Sequence, residues 1–120
     1  MAATPDPSAP EPERSDAGVT REVLRRAESL ADRLAVVGPR MAARESAAAA
    51  AVLDDIRSVV QQLADLGADA EGRERRPVPV LGAHALGDQV RVLAQDVAGA
   101  QQPTQIAAAL VLLRELAGRI

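Results

Sequence analysis

Between Val19 and Val37 an apolar residue returns every three or four positions, at Val19, Val23, Leu24, Ala27, Leu30, Ala31, Leu34 and Val37. Arg21, Glu22, Arg25, Glu28, Asp32 and Arg33 fill the places between. This is the α-helical period, and it gathers the apolar side chains on one face that needs a neighbour to cover it. Gly38 and Pro39 then read as a stop followed by a new start, glycine closing one helix and proline opening the next. The first helix is therefore expected over 18–37.

A second helix is expected over 40–66, with Gly67 as its end. Val52, Leu53, Ile56, Val59, Val60, Leu63 and Leu66 form two adjacent apolar stripes. A face that wide fits more than one neighbour. A polar loop, 67–82, ends in the two prolines of PVPV, which hold the chain extended at Arg76 and Val78. Two short helices follow, over 84–98 and 104–118, carrying Leu86, Val90, Leu93 and Val97 and then Ile106, Leu110, Leu113 and Leu116. The first half of the last helix is apolar on all sides, which suits a bundle centre or a contact with another molecule. Proline demotes the one short strand-like run. The expected fold is all-α, a small helical bundle of about four helices, two long and two short, in a single domain over 17–120. The proline-rich, acidic segment over 1–16 is expected to be a disordered tail.

Composition sharpens the chemistry. The chain has no Phe, Tyr, Trp or Cys, so its core can only be Leu, Val, Ile and Ala, with no disulfide, thiolate or cysteine zinc site. All of its basic residues are Arg, which with the abundance of Ala, Gly, Pro and Asp suggests a high-GC bacterial gene. A formal net charge of −3 argues against nucleic acid or an anionic membrane as partner. No secretory signal pattern opens the sequence, and its longest apolar runs are far short of the roughly 20 residues that cross a bilayer. A cytoplasmic location is the expectation.

Candidate functional residues are few. His84 is the single histidine and stands four residues before Asp88, a spacing at which a carboxylate can polarise an imidazole. One histidine without an E-x-x-H or H-E-x-x-H pattern does not make a metal site. An acidic residue in a first helical turn is also expected for its interaction with the helix dipole alone, and Gly87 could make Asp88 the N-cap. Asp54 and Asp55 point in different directions around their helix, unlike paired catalytic carboxylates, and read as a solvated face. Arg73, Arg75 and Arg76 are interleaved with Asp69, Glu71 and Glu74, and there is no aromatic residue to stack on a base. The run Ala47 to Ala51 combines high helix propensity with little bulk and is expected at a close helix contact.

No catalytic, cofactor-binding or metal-binding residue is assigned, and no cofactor is expected. The reading that fits best is a non-enzymatic helical interaction module whose partner is another protein, most simply a second copy, as a homo-oligomer or the small subunit of a complex. Its partner-binding surface is expected among His84, Asp88, Val78, Val80, Ile106 and Leu110. The alternative is a small DNA-binding regulator using the third and fourth helices as a divergent helix-turn-helix. Against it, the glycine comes one residue late relative to Ala94, Pro103 occupies the start of the reading helix, and only Gln102, Gln105 and Thr104 precede Arg114 there.

Overall fold

The structure is a computed structural model that describes residues 12–120, and side chains from residue 16 onward. Residues 1–11, the greater part of the expected tail, lie outside the described residues. The rest forms four α-helices and one short 3-10 turn: α1 Pro12–Ala43, α2 Ala47–Glu71, the turn Ala83–Ala85, α3 Leu86–Gly99 and α4 Pro103–Arg119. No strand occurs among the described residues. Among the described residues no helix is long and apolar enough to cross a membrane.

The two short helices fall where the apolar period placed them, but the first break moves. α1 opens at Pro12 and runs through Gly38 and Pro39 to Ala43. Gly38 is no helix stop. A Cβ built there would stand 2.7 Å from the Ala83 carbonyl oxygen, so the absent side chain makes room for the turn that precedes α3. The actual break is Arg44–Glu45–Ser46. Glu45 takes the left-handed conformation at φ 50°. Ser46 then caps α2, its Oγ accepting a hydrogen bond of 3.1 Å from the Ala49 amide, which satisfies one otherwise orphaned donor.

Gly67 likewise ends nothing. It is buried about one turn before the end of α2, facing Val97 and Asp96 of α3, and the helix continues to Glu71. Gly72 ends it at φ 67°, with Arg73 N–H donating to Ala68 O at 2.8 Å and Gly72 N–H to Asp69 O at 3.2 Å. That double closure is the Schellman arrangement, in which a left-handed residue lets the chain return hydrogen bonds to the last turn.

Specific contacts fix the packing. Along α1, Gly38 faces Ala83, Ala31 faces Gly87 and Glu28 meets Arg91, so α3 runs antiparallel to α1. Glu22 meets Arg114 and Arg33 meets the Ala117 carbonyl, so α4 runs parallel to α1. Asp55 lies 3.8 Å from Arg119, while Leu66 shares a groove with Ala108 and Leu112, so α2 and α4 are antiparallel. Each long helix packs chiefly on the two short ones, and α1 and α2 lie diagonally opposite. The two-stripe face of α2 is thereby explained, since one stripe meets α3 and the other α4. The C-terminal turns of α1 and the N-terminal turns of α2 carry few buried residues, and the molecule is elongated, 69 × 30 × 18 Å.

The core is aliphatic throughout. Val23, Leu34, Ile56, Leu63, Leu86, Val90, Val97, Leu113 and Leu116 are fully enclosed, and no polar or charged residue is buried among the described residues. Without rings to fill space, the helices close on each other. The tightest approach is α1 to α3, where a Cβ on Gly87 would stand 2.5 Å from the Ala31 carbonyl oxygen. The alanine run does not supply this contact: of Ala47 to Ala51 only Ala49 is buried. Nor is Gly87 a helix-weakening break that makes Asp88 a cap, because Asp88 sits in the first turn of a helix that opens at Leu86.

Gly87→Ala is expected to lower stability by about 1–3 kcal/mol, the usual range for forcing atoms into a full interior, despite alanine's better helix propensity. Gly118→Ala, with nothing within 4 Å of the new methyl group, is expected to be neutral or to stabilise by at most about 0.5–1 kcal/mol. Thermal melts of the two variants check this, and equal effects of the same sign would contradict the close approach.

Candidate functional site

The six surface residues expected from the sequence do not converge. His84 is exposed in the 3-10 turn, its ring folded over Gly82, where a Cβ would stand 2.7 Å from Nδ1 and Cε1. It accepts or donates no side-chain hydrogen bond among the described residues. Asp88 turns away from it and takes 2.7 Å from Arg91 Nη1. Arg91 also reaches Glu28 at 3.0 Å and Asp32 at 3.5 Å on α1. Hydrogen bonding to Glu28, aided by the charges of Asp88 and Asp32, raises its already high pKa. Asp88 thus belongs to an ion-pair network across the α1–α3 seam. Ile106 and Leu110 are buried in the core at 4 % and 7 % exposure and present no surface to a partner.

The proline segment is a strap over α2 and α3. Gln61 clamps one end: its Oε1 accepts 2.8 Å from the Val78 amide, and its Nε2 donates 3.1 Å to the Arg76 carbonyl. Gln89 Nε2 donates 3.1 Å to the Pro79 carbonyl. Val78 is consequently half-buried against the core, while Val80 is 81 % and Leu81 49 % exposed. The arginine-rich loop also folds back on α2, Arg75 gripping Asp69 through two contacts of 2.7 and 3.0 Å. That pairing holds the Asp69 carboxyl below its ordinary range and raises Arg75. Arg73 pairs with Glu71.

A feature the sequence reading missed is a groove between α2 and α4. It encloses about 550 Å³ and is lined by Gln62, Asp65, Leu66, Arg75, Ala108, Val111 and Leu112. Its floor is aliphatic, its rim polar. Val111, at 52 % exposure, stands on its α4 edge beside exposed Ala107. The signal in the sequence was the apolar start of α4, where buried Ile106, Ala109, Leu110 and Leu113 take one face and Ala107, Ala108 and Val111 remain outside. Only the position of α2 shows which of these are left over.

Among the described residues no group of three or more His, Asp or Glu side chains is placed to hold a metal ion. Comparison with protein-family models, with curated proteins and with solved structures gave no match.

Two outcomes follow for the charged seams. Replacing exposed His84 by Asn is expected to leave stability within about ±0.5 kcal/mol, and a larger loss in a thermal melt would contradict its peripheral place. Glu22 behaves differently. Hydrogen bonds from Arg114 and Arg26 hold its carboxyl below the ordinary 4.5. A depressed folded-state pKa contributes stability that is present above the unfolded value and lost as pH falls through the folded one. Glu22→Gln should therefore melt lower than the parent protein near pH 7, with the gap closing as pH drops below 4.5. A gap that is unchanged at pH 3 would contradict the pairing.

Proposed function

We propose that this protein is a non-enzymatic helical interaction module that associates with a second copy of itself through the α2–α4 groove. The observation that carries the reading is the groove itself, an apolar floor with Val111 beside it, ringed by Gln62, Asp65 and Arg75. An apolar centre with a polar rim is the usual layout of a protein interface.

A second copy is the occupant that the α4 surface favours. A two-fold axis between two α4 helices would set them antiparallel, as a self-complementary interface requires. With the axis near Ala109, Val111 of each copy would lie on Ala107 of the other, a large side chain over a small one. Glu115 of each copy would then approach the other's α4 N-terminus, the positive end of a helix dipole. The DNA-binding alternative draws less support. In a helix-turn-helix the two helices pack on each other, whereas α3 and α4 here are diagonal, each held mainly by α1 and α2.

Light scattering on the eluting protein at micromolar concentration is expected to give twice the 12.5 kDa chain mass. Val111→Glu is expected to shift it to the single-chain mass with the helical circular dichroism unchanged. A parent protein that stays at the single-chain mass throughout would overturn the reading.

A further inference from the structure

A second groove lies on the other side of α2, beneath the proline strap, and its walls divide by chemistry. It encloses about 300 Å³ and is lined by Val78, Pro79, Val80 and Leu81 of the strap facing Asp54, Arg57 and Ser58 of α2. That volume is at the lower end of the roughly 300–1,000 Å³ of small-molecule clefts. The strap side is aliphatic and open to solvent at Val80 and Leu81. Gln61 and Gln89 close the remaining sides with amides already bonded to the strap carbonyls of Arg76 and Pro79.

The α2 side carries charge that its neighbours leave unused. Arg57 Nε is shut off from solvent and has no hydrogen-bond partner among the described residues. Asp54 stands one helical turn away on the same face. Neither joins any of the ion pairs formed by the described residues, and Arg57 Nε is the buried side-chain polar atom left without a partner among them. A buried guanidinium N–H without an acceptor is costly, and the acceptor that suits its planar fork is a carboxylate. Asp54 in the same cleft disfavours a doubly charged phosphate and suits a ligand that brings a cation beside its carboxylate.

We infer that this groove binds a free aliphatic α-amino acid, its carboxylate on Arg57, its ammonium toward Asp54 and its hydrocarbon side chain against Val80 and Leu81. All three elements of the wall are then used at once: the unpaired guanidinium, the unpaired carboxylate and the exposed valine and leucine. The site is distinct from the α2–α4 groove and does not depend on self-association.

Titration of the full chain with L-leucine, 4-methylpentanoate and 3-methylbutylamine, followed by the Arg57 Nε–H signal and the Val80 methyl signals in NMR spectra, tests it. Leucine is expected to move both sets of signals saturably at millimolar concentration. The acid without the amine and the amine without the acid are each expected to bind more weakly. Arg57→Gln should weaken leucine binding about tenfold or more, and Asp54→Asn should bring leucine down to the level of 4-methylpentanoate while leaving the fold intact. No saturable movement with leucine at tens of millimolar, or equal binding of leucine and 4-methylpentanoate to the parent chain, would overturn the inference.

Discussion

The whole arrangement rests on how closely α1 and α3 approach at Ala31 and Gly87. A core of Leu, Val, Ile and Ala has no ring to span a wide gap, and a void too small for water forfeits the dispersion contacts on one side. The helices must therefore come together until aliphatic side chains touch, and the backbone needs room at the points of contact. Gly87 and Gly38 supply it. Each glycine sits inside or beside a helix where its conformational freedom is a disadvantage and its lack of a side chain is the benefit.

From that closeness the rest of the packing follows. α3 and α4 lie side by side with both long helices and hold α1 and α2 apart as diagonals. The width of the apolar face on α2 matches this, because α2 has to meet two partners at once. Charges decorate the seams without entering the core: Arg91 ties α3 to Glu28 and Asp32, and Arg114 ties α4 to Glu22. Such exposed pairs add little stability individually, but they fix which helix faces which. The surfaces left over flank the exposed side of α2, one with an aliphatic floor and a polar rim and one with unpaired charge.

Much of the fold was legible in the amino-acid order. The 3.6-residue period located every helix, and Pro103 opens α4 as its neighbours suggest, whereas α3 runs through Gly99 and turns at Gln101, which takes the left-handed conformation at φ 57°. The errors share one physical cause. A glycine is used either to turn the chain or to let another segment come near, and only the first use is visible in its neighbours. Gly38 and Gly67 were read as stops, although Ala83, remote in sequence, explains Gly38 and Gly67 is an ordinary buried helical position, while the true ends at Ser46 and Gly72 were passed over. The same blindness affects the candidate sites. Ile106 and Leu110 looked available until the opposing helices covered them, and the importance of Arg57 rests on the strap folding back across α2, which no local pattern encodes.

The central claim, that the two short helices separate the long ones at close range, is tested most directly by proton–proton contacts in a methyl-labelled sample. The account predicts cross-peaks from the Gly38 α-protons to the Ala83 methyl group, from Gly87 to Ala31, and from Gly67 to the Val97 methyl groups. A spectrum that instead connects α1 to α2 along their whole length, with Ala31 and Gly87 showing no contact, would contradict it.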